Sequence, residues 1–86
     1  MGLDSLELVL GWEEEFGISI PNEAAATFET PRNVGDYIEP ALDAQGRSLP
    51  RAEIDRILKQ VVIEQLGIDE SVYGIDVKFV EEMGVD

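Results

Sequence analysis

The 86-residue chain contains no cysteine and no histidine, and its six basic residues face nineteen acidic ones. Without cysteine there is no disulfide framework, thiolate metal site or thiol nucleophile. Without histidine, the commonest general base and metal ligand is missing as well. The net charge of −13 disfavours direct contact with nucleic acid or an anionic membrane, both polyanions. Its natural complement is a basic protein surface met in a fast, salt-sensitive encounter, although solubility alone would also account for it. Long apolar runs are absent too. The short ones are interrupted by acids, so neither a signal peptide nor a membrane span is expected, and the sequence predicts a cytoplasmic protein. An apolar content of 44% suffices for one small domain near the lower size limit of a single core.

The sequence also lacks the motifs of self-sufficient catalysis. It has no phosphate-cradling glycine loop and no paired-cysteine motif. The stretch Asp69-Glu70-Ser71-Val72-Tyr73-Gly74 has acids and a glycine but not the ligand spacing of a calcium loop. Ser5 has no histidine to activate it. The carboxylate clusters read as solvated helix faces rather than acid/base pairs. An enzyme is not expected.

What is present is helical patterning. Leu3 to Phe16 reads as one amphipathic helix, with Leu6, Val9 and Phe16 on a stripe and Leu8 and Trp12 beside it, stopped by Gly17. Asp4 and Glu7 are spaced as a capping box. Glu13, Glu14 and Glu15 oppose the helix dipole, so local stability does not explain them. They form either a solvated belt or a docking surface. Asn22 is expected to cap a short turn reaching Phe28, and Thr30-Pro31 to start a helix bearing Val34, Tyr37 and Ile38. Gly35 and Pro40 leave the later half of that helix open. After a polar linker at 43–50, Ile54, Ile57, Leu58, Val61, Val62 and Leu66 recur at helical spacing up to Gly67. From Ile68 onward the chain reads as a wrapping loop anchored by Val72, Ile75, Val77, Phe79, Val80 and Met83. The predicted class is all-α, a small bundle of three longer helices and one short one.

These segments resemble acyl carrier proteins in an altered order. Residues 51–70 look like that family's first helix and turn, and Phe79-Val-Glu-Glu-Met-Gly-Val-Asp86 like its loop before the modified serine. Leu3 to Pro21 resembles its second helix, and Phe28 to Ile38 its third and fourth. The resemblance implies a circular permutation, natural or engineered: 1–42 corresponds to family helices two to four, 43–50 joins the old ends, and 51–86 corresponds to helix one and its loop. Such joining is tolerable because domain ends often lie close together. Closure within one chain is expected, a swapped dimer being the alternative.

Family members carry 4′-phosphopantetheine on a serine at the start of their second helix. Two registers compete for that serine here. In one, Asp4-Ser5-Leu6 is the motif and Ser5 is the attachment residue. In the other, Leu3-Asp4-Ser5-Leu6-Glu7-Leu8-Val9 follows the family pattern without a gap, and the serine position falls at Gly2, after Asp86. The second keeps the apolar stripe in phase, where a three-residue loss would rotate it by roughly 60°. The resemblance implies a carrier of acyl thioesters that docks basic surfaces of acyl-processing enzymes and a phosphopantetheinyl transferase through Asp4, Glu7, Glu13, Glu14 and Glu15. The alternative is a permuted scaffold that carries nothing and serves as an acidic adaptor or an engineered module.

Overall fold

A computed structural model describes residues 3–86. It contains α1 (Leu3–Phe16), α2 (Asn22–Ala25), α3 (Pro31–Ala44) and α4 (Arg51–Leu66), followed by a 3-10 turn at Glu70–Val72 and an irregular segment to Asp86. The described residues form no strand, as the all-α reading expects, and no helix among them is long and apolar enough to cross a membrane. α4 lies against both α1 and α3. A single core gathers Leu8, Val9, Trp12 and Phe16 of α1, Val34, Ile38 and Leu42 of α3, and Ile54, Leu58, Val61 and Val62 of α4. Burying each large apolar side chain contributes roughly 1.5–3 kcal/mol.

The helix ends follow the sequence signals in most places. Thr30 caps α3 through a full capping box: Asn33 N–H donates to the Thr30 hydroxyl, and Asn33 Oδ1 accepts from Thr30 N–H at 3.0 Å. Gly17 and Gly67 end α1 and α4 in the left-handed region, both at φ 65°, where a side chain would be strained. Pro40 does not end α3, which runs to Ala44. Pro40 is exposed, so the carbonyl that its missing N–H leaves free can meet water. The expected Asn22 cap is not formed: Asn22 is the first helical residue of α2, and Pro21, which precedes it, makes no side-chain cap.

Gly35 is buried at the α3–α4 contact for a specific reason. A Cβ there would stand 2.7 Å from Arg51 Nη2. The space is taken by the Arg51 guanidinium, which donates to Asp36 (2.8 Å), Glu39 (3.1 Å), Asp55 (3.1 Å) and the Arg32 carbonyl (3.3 Å). These hydrogen bonds, Asp36's foremost, hold the Arg51 pKa above its ordinary value against the opposing cost of burial.

The segment after α4 is fastened at the start of α3. Arg32 N–H donates to the Ile75 carbonyl, and Phe79 N–H to the Glu29 carbonyl, each at 2.9 Å. The Arg32 guanidinium grips Asp76 at 2.7 and 2.9 Å. Phe79 and Met83 are core residues as anticipated, and Ile75 and Val77 are partly buried. Val72 and Val80 are exposed instead. Val85, which the spacing did not single out, is buried.

Candidate functional site at the start of α1

α1 presents two dissimilar faces. Inward, Leu8, Trp12 and Phe16 repeat at i, i+4 and i+8 and are each 2% exposed. Outward, Leu3, Leu6 and Leu10 are exposed apolar residues, and Glu7 and Glu14 share their side of the helix at i+4 and i+11 from Leu3. This corrects the anticipated stripe. Leu6 belongs to the solvent face, and the buried phase is set by Leu8 and Trp12 with Val9 and Phe16. A window of apolar residues covering most of a helix circumference does not reveal which arc faces the core, because Leu3, Leu6 and Leu10 keep helical spacing too.

Ser5 falls three residues before Leu8 and seven before Trp12, on the inward side. It is half-buried, and its hydroxyl donates to the Asp86 carbonyl at 2.6 Å. Asp86 N–H reaches back toward Asp4 Oδ2 at 3.5 Å. The last described residue therefore lies against the first turn of α1. Asp4 is not the helix cap that its spacing with Glu7 suggested: it lies within α1, and its carboxylate faces Asp86. Gly2, where the second register puts the family serine, lies outside the described residues.

Beside Ser5 opens a cavity of about 300 Å³, lined chiefly by Leu8, Val9, Trp12, Phe28, Phe79 and Val85. Its rings meet at an angle: Trp12 lies 6.2 Å from Phe28, nearly edge-on, and 5.7 Å from Phe79. Val80, 64% exposed, sits at the same cavity. Trp12 Nε1 is a buried donor with no acceptor among the described residues. Leaving such a group unpaired costs about 1–3 kcal/mol.

The five acids singled out from the sequence do not behave alike. Glu7, Glu14 and Glu15 are exposed. Asp4 is half-buried against Asp86. Glu13 is half-buried, and its carboxylate accepts from Ile20 N–H at 2.7 Å, tying the strand-like exit of α1 back onto the helix. None of the chain's six basic side chains pairs with an acid of α1 among the described residues. Arg32, Arg51, Arg56, Lys59 and Lys78 pair with Asp76, with Asp36, Glu39 and Asp55, with Glu53, with Glu70 and with Glu81 respectively. Arg47 goes to the far end of α1, where it donates to the carbonyls of Phe16 (2.7 Å) and Gly17 (3.2 Å). A guanidinium there answers the negative end of the helix dipole. Sequence spacing gave no sign of this cap, because it comes from a residue 31 positions away from Phe16.

The described residues thus bring together on one helix an apolar cavity at its start, exposed leucines and acids without basic partners. The chain is similar to acyl carrier proteins over about half its length. It is 43% identical over 44 residues to acyl carrier protein 4, chloroplastic, of Cuphea lanceolata, covering 51% of this chain and 32% of that protein. It is 50% identical over 36 residues to the acyl carrier protein of Thermosynechococcus vestitus, covering 42% of this chain and 44% of that one. The chain thus spans between about a third and a little under half the length of these relatives. No family model and no solved structure matches it.

Proposed function

We propose that this chain is an acyl-carrier-type domain in permuted order, which shelters an acyl chain in the cavity beside Ser5 and docks basic partner enzymes through α1. The observation that carries this reading is the conjunction at one helix: an apolar cavity at its start, exposed leucines and acids without basic partners along its outer face. Exposed apolar side chains ringed by charge suit an interface, since attraction steers the encounter and the leucines supply buried area.

Ser5 is the residue of α1 that could hold the 4′-phosphopantetheine arm. It stands in the first turn, where free N–H groups and the positive end of the helix dipole favour a phosphodiester. The adjoining cavity suits the cargo. The arm would supply a thiol that holds an acyl group as a thioester, while the bundle itself catalyses nothing. Partners would be acyl-processing enzymes with basic surfaces and the transferase that installs the arm.

The second reading is a carrier scaffold that carries nothing. It is favoured by the inward side on which Ser5 falls and by the hydrogen bond to Asp86, which engages the hydroxyl that would have to react. The two separate on one measurement. Incubation with a phosphopantetheinyl transferase and coenzyme A should add the mass of one arm, and Ser5→Ala should abolish the gain. An unchanged mass of the native protein would leave the scaffold reading standing.

A further inference from the structure

After Met83 the chain turns abruptly. Gly84 sits in the left-handed region at φ 75°, and the two residues beyond it meet different targets. Val85 is 4% exposed, and its N–H donates to the Phe79 carbonyl at 2.9 Å. The backbone carbonyl of Asp86 accepts from the Ser5 hydroxyl at 2.6 Å. Among the described residues, the 3.5 Å approach of Asp86 N–H to Asp4 is the only other hydrogen bond between 84–86 and α1. Residues 78–83 close on themselves instead: Glu82 and Met83 N–H both donate to the Lys78 carbonyl at 3.0 Å. Residues 84–86 can therefore swing away without unravelling that turn. One buried side chain and a few hydrogen bonds mark a segment that opens locally, well before the bundle unfolds.

We propose that residues 84–86 are a latch over Ser5, hinged at Gly84. Closed, it engages the hydroxyl; open, it releases the hydroxyl to react. A reacting hydroxyl must lose its proton, and an amide carbonyl cannot take it up. In arm transfer the Ser5 Oγ–phosphorus bond forms as the phosphoanhydride bond of coenzyme A breaks. Adenosine 3′,5′-bisphosphate leaves, and the hydroxyl proton passes to a base on the transferase. That base needs the side of the hydroxyl that Asp86 occupies. Arm transfer rests on the carrier reading; the latch rests on Gly84, Val85 and the Asp86 carbonyl.

The chain has no cysteine, so Ser5→Cys places a single thiol under the latch. Its alkylation by N-ethylmaleimide, read by mass and referred to the thiolate through a pH series, measures access to position 5 in the whole protein. Gly84→Ala disturbs the hinge alone: a Cβ there meets nothing within 4 Å, but the left-handed turn is strained. Adding it should speed alkylation about tenfold, with amide exchange in the core of α4 unchanged. An unchanged alkylation rate, or a faster one matched by equally faster exchange in α4, would overturn the latch. In the native protein, with no variant needed, the Val85 amide should exchange well ahead of the α4 core amides. Exchange at the same rate would likewise overturn it. In the chain that keeps Ser5, Gly84→Ala should speed arm transfer from coenzyme A by a similar factor. Arm transfer at one rate in both proteins would overturn the gate and spare the carrier reading. Faster alkylation with no arm transfer to either would sink the carrier reading and leave the latch standing.

Discussion

The two ends of this bundle use charge in opposite ways. Where α3 meets α4, Arg51 sits amid Asp36, Glu39 and Asp55, and Gly35 gives up its side chain to make the room. Along α1, Glu7, Glu14 and Glu15 face solvent beside Leu3, Leu6 and Leu10, and among the described residues no basic side chain pairs with them. With only six basic residues to nineteen acids, pairing every acid is impossible. Their placement therefore shows which acids the fold needs neutralised. The α3–α4 acids are held by Arg51, and those of α1 have no basic partner among the described residues.

Breaking the clamp should produce the largest effect. Arg51→Met keeps the apolar stem but leaves three carboxylates near one another without a cation. Charge-assisted hydrogen bonds are individually worth about 1.5–3 kcal/mol when shielded, and partial exposure reduces that. A loss of about 2 kcal/mol is expected, read as a lower urea midpoint with unchanged slope. If the midpoint stays put, charge is not what holds α3 to α4, and the contrast between the two ends collapses.

Arg47→Ala should cost less, about 1 kcal/mol, since a dipole contribution and hydrogen bonds to two exposed-end carbonyls are lost while the core is untouched. Amide hydrogen exchange should quicken at the last turn of α1 and leave α4 alone. Faster exchange spread evenly over the bundle would show that Arg47 is part of the global fold rather than a local cap.

Tyr73 extends the comparison into alkaline solution. Burial first, and then the nearby Asp55 carboxylate, push its phenol above its ordinary value of 10.0. The folded state thus favours the neutral phenol. Its contribution is fully present below about pH 10, the unfolded value, and is lost as pH rises toward the raised folded value. Stability should fall above pH 10 in step with tyrosinate absorbance, and Tyr73→Phe should flatten that fall. An unaltered alkaline limb in the variant would show that the Tyr73 phenol does not set it.

The helices, the left-handed glycines at 17 and 67 and the start of α3 at Thr30-Pro31 were legible because each rests on neighbours in sequence: periodicity, φ preference and an N-cap followed by proline. The Arg51 clamp and the Arg47 cap were not, since apart from the Arg51–Asp55 pair at i,i+4 they join residues 12 to 31 positions apart, which spacing cannot encode. The site was legible in part. Ser5 and the acids of α1 could be picked out, but not that Glu13 is occupied by Ile20 N–H or that Ser5 faces Asp86. Leu6 falls on the expected apolar stripe with Val9 and Phe16 although it is exposed, because Leu3, Leu6 and Leu10 are as periodic as the true core face. An exposed apolar stripe that serves a partner obeys the same spacing as one that serves the fold.

The smallest expected change in stability carries the sharpest information about α1. Glu7→Gln, Glu14→Gln and Glu15→Gln combined remove three exposed charges that have no basic partner. Exposed substitutions of this kind alter stability by about 0.5 kcal/mol or less, and relief of self-repulsion in so acidic a chain favours the folded state. The thermal midpoint should therefore hold or rise slightly. Association with a basic partner should slow, because long-range attraction acts mainly on the on-rate, and its dependence on salt should weaken in parallel. A phosphopantetheinyl transferase with a basic docking face provides the assay, followed as on-rate against ionic strength. If the triple variant loses stability instead and keeps its salt-dependent on-rate, the acids of α1 serve the fold and the two ends of the bundle do not differ in kind.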